Sequence, residues 1–322
     1  MKKTVLLTVN PLIIESREFS TMRKFVSVLN RRFDLYVLPI CGYDFRRGRV
    51  RAYRRVKGGA FEDAGMLTPA ADLWIVYSDG FYLDQRRFGF RARRDYFNAQ
   101  IDFHQRHLGA GRVRLMVNSP AADARALKSW LATLDFKKSR VIPTYVFSSI
   151  DEVRDLLKRE RRIVVKPVWG GGSSGVRLLA DEKSLVEFQR ELARAGGDLN
   201  DYCFQVFRQG DEKRLWFAGG EFVGGRKFRG HETPWSGWSD DFQVSTYDYD
   251  EKSRNNFAAN LAAARRLCAL SGIGVGSVDF IGDEINEING CGTVLTTFHN
   301  RKLLIDTRLA FVNYFQRLVD SL

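Results

Sequence analysis

VVKPVWGGGSSGV, residues 164–176, holds a lysine, a glycine run and two serines, the ingredients of a phosphate cradle. A P-loop places its lysine after the glycines, with a helix behind it, so that loop amides, helix N-terminus and ammonium converge on one phosphate chain. Here Lys166 precedes the glycines and Pro167 follows it. RIVVKPV (162–168) and VRLLA (176–180) both read as strands, so the loop joins two adjacent strands in hairpin fashion. A Walker or dinucleotide-binding loop needs strand, loop, helix. Both fit poorly, by position as well as by spelling.

Outward from the loop, strand and helix patterns alternate. TVLLTV (4–9), FDLYVLPI (33–40), DLWIVYSDG (72–80) and VRLMVNSP (113–120) predict buried strands, and GRVRAYRRV (48–56) an alternating one. Residues 16–32 carry Phe19, Met22, Phe25, Val26 and Leu29 at helical spacing, and residues 94–109 predict a helix that stops at Gly109. This is the grammar of an open α/β sheet, and the first unit, 1–120, ends near Pro120. A central unit, 121–208, comes next. It has a helix over 122–134, a strand over 141–147, a helix with a Ser149/Glu152 capping box, the glycine hairpin, a helix behind Asp181 and a strand over 202–207. The third unit, 209–322, has a hairpin turning at Gly219-Gly220, a helix around 256–270, the stretch GVGSVDFIGDEINEING (274–290) and a terminal helix. That last helix carries Leu309, Val312, Phe315, Leu318 and Val319, a stripe for core or dimer packing. Residues 230–245 read as a surface loop.

A chain of 322 residues, 44% hydrophobic, can bury a large core in about two ordinary domains. No apolar run reaches the ~18 residues of a membrane span. The start, MKKTVLLTVNPLI, is too short and lacks the cleavage site of a signal peptide, and reads as a first buried strand. Four cysteines (41, 203, 268 and 291) without C-x-x-C spacing argue against zinc and against a disulfide framework, and suit a reducing cytoplasm. Four histidines in no ligand spacing argue against a histidine metal site or triad. The net charge of +13 concentrates in residues 45–59 and 84–97. It reads as a solvated basic surface, as a field for small anions, or as a nucleic-acid footprint that no recognition motif accompanies.

VDFIGDEINEING (278–290) concentrates acids. Side chains alternate along a strand, so Glu287 and Asn289 share one face, and Glu284 and Asn286 the other. A three-residue turn at residues 282–284 sets Asp279 across from Glu287, and three oxygen-bearing side chains converge. A two-residue turn at Gly282-Asp283 sets Asp279 opposite Asn286 instead. Few hard oxygen ligands beside a lysine-led glycine hairpin suggest Mg²⁺ and ATP held between two sheets.

These segments, in this order, resemble the ATP-grasp superfamily and, within it, the bacterial glutathione synthetases. VNSPAADARALKSWL (117–131) is similar to the family segment whose lysine enters the ATP site, which matches Lys128. VVKPVWGGGSSGV resembles K-P-x-x-G-x-G-G-x-G-[IV], matching Lys166 and the flap Gly170, Gly171, Gly172, Ser173, Ser174 and Gly175. YCFQVFRQGDEKRLWFAGGEFVGG (202–225) resembles the hinge that packs on adenine, joined to the family's D-K-R and G-E-x-V. This implies adenine contacts near Gln205, Val206 and Phe207, mainly through backbone, and family arginines at Arg214 and, further on, Arg229. VDFIGDEINEIN is similar to L-D-[IV]-I-G-x-x-x-x-E-[IV]-N, which implies metal ligands Asp279, Glu287 and Asn289.

The resemblance implies a mixed α/β (α+β) ATP-grasp fold. That fold has an N-terminal open α/β sheet domain, a central lid subdomain and a C-terminal antiparallel-sheet subdomain. It also implies an ADP-forming carboxylate–amine ligase in the cytoplasm, working through an acyl phosphate. ATP and one or two Mg²⁺ (or Mn²⁺) are the implied cofactors, and an amino acid or short peptide the implied substrate. Arg229 and Arg214 would stabilise the acyl phosphate and its tetrahedral successor. Membrane and nucleic acid are not expected partners, and a homo-oligomer stays open. Residues 230–245 and 290–298, where the substrates should sit, depart from the glutathione synthetases, and so do residues 77–84, so a different product is expected. Trp169 stands where the best-known relatives have an acid. Cys291 is not expected to act as a nucleophile, since no histidine is close in sequence and the chemistry needs none. Alternatives are a ligase extending a peptide or protein tail, and a nucleic-acid-binding protein without ligase activity.

Overall fold

A computed structural model describes residues 2–9, 14, 20–56, 59–76, 93–169, 175–228, 244–245, 258–290 and 301–322. Three sheets carry the described chain. The first contains β1 (Thr4–Val9), β2 (Asp34–Pro39), β3 (Tyr43–Asp44), β4 (Arg49–Arg55), β5 (Phe61–Leu67), β6 (Ala71–Val76) and β7 (Val113–Val117), in the order β3-β4-β2-β1-β6-β7 with β5 beyond β4. The second is β10-β9-β11-β8, from β8 (Thr144–Tyr145), β9 (Ile163–Pro167), β10 (Arg177–Leu179) and β11 (Tyr202–Val206). The third is β14-β13-β12-β15-β16, from β12 (Glu212–Ala218), β13 (Glu221–Phe228), β14 (Val244–Ser245), β15 (Val275–Ile281) and β16 (Glu284–Asn289). The helices are α1 (Ser20–Arg32), α2 (Arg93–Gly109), α3 (Pro120–Arg125), α4 (Phe136–Ser139), α5 (Ile150–Glu160), α6 (Glu182–Arg194), α7 (Ala258–Ser271) and α8 (Arg301–Asp320).

β1 pairs in parallel with β2 and β6, and its apolar run is buried almost end to end, as a central parallel strand must be. β3 and β5 are additions that the sequence pattern does not announce. β5 is the outer strand of the β4–β5 pair and mostly exposed, so it lacks the apolar alternation that marks a half-buried strand. The basic stretch is partly neutralised here: Arg51 pairs with Asp63 of β5 and Arg54 with Asp34 of β2.

Two expected elements are broken. The helix expected over 122–134 divides into α3 and a 3-10 segment, Lys128–Thr133, because Leu127 adopts an extended conformation (φ −66°, ψ 139°). Ala122 and Leu131 enter the same core. In one continuous helix their nine-residue separation, about two and a half turns, would put them on opposite faces, and the break resets the phase. The strand expected over 141–147 is shared out. Val141 bridges Ile285 of β16, while Thr144–Tyr145 pairs with β11.

The cores show which sheet faces are left for a site. α5 and α6 cover one face of the second sheet, packing Val153, Leu156, Leu185 and Phe188 on Ile163, Val165 and Phe204. Alternation turns Val164, Lys166, Cys203 and Gln205 to the other face. α7 covers one face of the third sheet through Leu261, Ala264 and Leu267 on Leu215, Phe217, Val278 and Phe280. The terminal stripe resolves as core: Val312, Phe315 and Val319 of α8 pack with Trp216 and Val275 of the third sheet and with the first sheet, while Leu309 is exposed.

Candidate active site

The third sheet presents Asp279 on its face away from α7. Asp279 is fully buried, and its register partners are Arg214 on β12 and Glu287 on β16. Arg214 holds it in a fork, Nε to Oδ1 at 2.7 Å and Nη2 to Oδ2 at 2.5 Å. Asn289 Nδ2 donates to Asp279 Oδ2 (3.1 Å) and to Glu287 Oε1 (3.4 Å). The three expected metal-ligating side chains therefore adjoin one another.

The convergence is reached by a different turn from the one that favoured it. Ile281 faces Glu284, so Gly282 (φ +59°) and Asp283 form a two-residue turn, the kind expected to bring Asn286 opposite Asp279. A β-bulge between Asp279 and Phe280 then sets Asp279 across from Glu287 and leaves Asn286 as the extra residue. The sequence held a signal for this. Ile285 and Ile288 both enter the α7 core, and an odd spacing cannot share one face of a regular strand. Asn286 is thereby turned to the side of Glu287, not the opposite face that simple alternation predicts.

The facing sheet supplies a cation. Lys166, on β9, is buried, and its Nζ donates to Asn286 Oδ1 at 2.6 Å. Burial pushes its pKa down, and the charge of Glu287 works against that shift. Burial also opposes ionisation of Glu287, but Lys128, Lys166 and Arg214 outweigh it and hold the carboxyl below the usual range. Burial raises Asp279 above an ordinary aspartate, with Glu287 adding to the rise and Arg214 opposing it. The pair is thus an ionised glutamate beside an aspartate that needs positive charge to stay ionised. Cys203, across the ladder from Lys166, is buried, which pushes its thiol up to about 11.

β11, the strand expected to contact adenine, is bonded to protein groups on both sides. Gln205 is buried, and its Nε2 donates to Thr144 Oγ1 (3.1 Å) and to the Asn286 carbonyl (3.1 Å), tying the second sheet to the third. The Val206 and Phe207 amides donate to Pro143 O and Arg162 O. Arg162 stacks over the Phe207 ring at 3.9 Å, and Arg208 Nε donates to Glu284 Oε2 at 2.5 Å.

Gly170, Gly171, Gly172, Ser173, Ser174 and Arg229 lie outside the described residues. So do Cys291, 230–243 and 77–84. The two ends of the flap are described. Trp169 packs on Phe97 of α2, ring centroids 5.2 Å apart. Gly175 has φ +74°, and a Cβ there would lie 2.9 Å from the Pro167 ring, so the returning strand needs glycine to pass it. Asn286 and Thr144 are site-lining residues absent from the sequence-based set. Among the described residues no three His, Cys, Asp or Glu side chains form a metal cage. Two carboxylates and an amide nonetheless suit Mg²⁺, which binds through one or two carboxylates together with substrate phosphates.

No family model matches the chain. Glutathione synthetase of Thermosynechococcus vestitus (strain NIES-2133 / IAM M-273 / BP-1) is 27% identical over 187 residues, 54% of each chain, so the match spans about half the length of that relative. The ATP-grasp ligase PsnB complexed with minimal precursor superposes with a TM-score of 0.61 at 16% identity, covering 98% of this chain and 100% of that one. A second PsnB structure, with Mg, ADP and a phosphomimetic variant of the precursor, gives 0.58 at 16% identity over 99% of both chains. D-cycloserine synthetase DcsG gives 0.62 at 19% identity, over 98% of this chain and 99% of that one. The chain has the fold of the ATP-grasp ligases.

Proposed function

We propose that this protein is an ATP-dependent ligase that joins a carboxylate to an amine, releasing ADP and phosphate. The observation that carries this reading is the meeting of Lys166 of the second sheet, bonded to Asn286, with the adjoining Asp279, Glu287 and Asn289 of the third, where Lys128 of the 3-10 segment adds positive charge beside Glu287. A polyphosphate needs cations on one side and metal-held oxygens on the other, and this arrangement suits both needs. Mg²⁺, or Mn²⁺ in its place, held by Asp279, Glu287 and Asn289 would neutralise phosphate charge as the terminal phosphoryl group moves. Lys128 and Lys166 bind the inner phosphates. In this reading the flap residues Gly170–Gly175 would serve the phosphates through backbone amides, and the hinge at Gln205, Val206 and Phe207 would serve the adenine. Arg214 orients Asp279 and lies beside the reacting carboxylate, which Arg229 also serves.

In the reaction, a substrate carboxylate oxygen attacks the γ-phosphorus of ATP and ADP leaves. The amine then attacks the acyl carbon, loses a proton and expels phosphate. Most of the catalytic effect is positioning and charge neutralisation. The domain division at 120 and 208 belongs to the same reading: an N-terminal sheet beside the substrates, a lid, and a metal-bearing sheet. The substrates are an amino acid or short peptide and an amine. PsnB, also solved with a precursor peptide, makes a peptide tail the alternative acceptor.

The test is an ADP-release screen of carboxylate and amine pairs, including peptides, with the product identified by mass. Glu287→Gln and Asp279→Asn should each lower substrate-dependent ADP release by at least about a thousandfold, a loss of roughly 4 kcal/mol of transition-state stabilisation. Glu287→Gln is the cleaner variant, because Asp279→Asn also strips Arg214 of its carboxylate. Full activity in both would refute the metal assignment.

A further inference from the structure

The bulge in β16 does more than set the register of Asp279 and Glu287. Its extra residue, Asn286, is a point at which the two sheets of the site are fastened. Its side-chain oxygen accepts from Lys166 Nζ at 2.6 Å, and its carbonyl accepts from Gln205 Nε2 at 3.1 Å. Gln205 is in turn held by Thr144. Lys166 lies on a buried strand and carries a flexible four-carbon stem, so something must fix where its ammonium points.

The chemistry of that acceptor matters. An amide oxygen is neutral: it takes one N–H of the ammonium and leaves the full charge and two N–H groups for another acceptor. A carboxylate in its place would cancel that charge, and it would put a third acid beside Asp279 and Glu287. Like charges so close are costly in a buried site. We propose that Asn286 is a positioning residue, which aims the Lys166 ammonium at a phosphate while leaving its charge uncancelled. This rests on the reading of the site as one for ATP. It assigns a role to a residue outside the lysines, metal ligands and arginines of that reading.

The test measures binding of the non-hydrolysable analogue AMPPNP with Mg²⁺, and of adenosine, by calorimetry. The wild-type chain is compared with Asn286→Ala, Asn286→Asp, Lys166→Met and the double variant Lys166→Met/Asn286→Ala. Asn286→Ala should weaken AMPPNP about tenfold, or about 1.4 kcal/mol, and leave adenosine within about twofold. Adenosine has no phosphate for Lys166 to meet, so damage to the fold would weaken both ligands. Asn286→Asp should weaken AMPPNP at least as much, although it keeps the size and a hydrogen-bond acceptor. In the Lys166→Met background Asn286→Ala should have no further effect. Additive losses in the double variant, equal losses for adenosine, or AMPPNP binding unchanged in Asn286→Ala and Asn286→Asp would each overturn the inference. Wild-type protein that binds no AMPPNP would instead remove the ATP reading, and this inference with it.

Discussion

Arg214 and Asp279 show what a single pair can cost and hold in this molecule. Asp279 is wholly buried, and its two oxygens take two guanidinium donors. Removing one member of such a pair leaves an uncompensated charge, typically about 3–5 kcal/mol. Arg214→Met should therefore lower unfolding stability in urea by about 3 kcal/mol, while Arg214→Met with Asp279→Leu should recover most of that loss. Equal destabilisation in the single and double variants would mean that the pair contributes through packing, not charge. Both residues were legible as site candidates, Asp279 from the strand pattern and Arg214 from the family resemblance. Their bond to each other was not, because it depends on β12 lying beside β15, a pairing between residues 65 apart.

At the scale of elements, the β12–β13 hairpin is where α8 is seated. Gly219 (φ +60°) and Gly220 (φ +79°) form the tight turn, and a Cβ on Gly219 would lie 2.5 Å from the Tyr314 ring. Gly219→Ala combines a left-handed backbone with an overlap against α8, so it should cost about 2–3 kcal/mol. The check is the thermal midpoint, with Gly220→Ala as comparison, since nothing stands within 4 Å of a Cβ there. Gly220→Ala should lose only the backbone share, about 1 kcal/mol. An equal fall in both variants would show that Tyr314 yields without cost. The turn was readable from the Gly-Gly pair between two apolar runs. The ring above it was not, because Tyr314 arrives from a distant helix. The β15–β16 bulge is the converse case. The odd spacing of Ile285 and Ile288 announces it, but the spacing gains meaning only once α7 is known to cover both residues.

For the whole molecule, the first and third sheets share a core through α1 and α8, so stability is coupled across the chain. His104 gives that coupling a pH dependence. It packs against Trp74 and Phe103 with Nε2 on the Tyr43 hydroxyl, and burial pushes its pKa down from 6.5 to about 3. The folded protein refuses a proton that the unfolded chain accepts. The contribution is therefore complete above about 6.5 and is lost as the pH falls toward about 3, by at most about 1.4 kcal/mol per pH unit. His104→Gln removes the titration while offering Tyr43 a polar partner. Urea midpoints measured across this window should fall less steeply in the variant than in the wild-type protein. Parallel slopes would mean that His104 titrates alike in both states.

The sequence by itself determined most strand and helix types, the hairpin nature of the glycine loop and the likeness to the ATP-grasp ligases, and it offered Asp279, Glu287 and Asn289 as candidates. These rest on local periodicity and on the order and spacing of motifs along the chain. Only the tertiary structure decided that Arg214 forks Asp279, that Gln205 ties two sheets together, and that Lys128 comes after a broken helix. It also decided that Asn286 turns to Lys166. The physical reason is common to these cases. Each depends on which sheet faces another, and that is set by burying the cores beneath α5, α6, α7 and α8, whose contributing residues lie far apart in the chain.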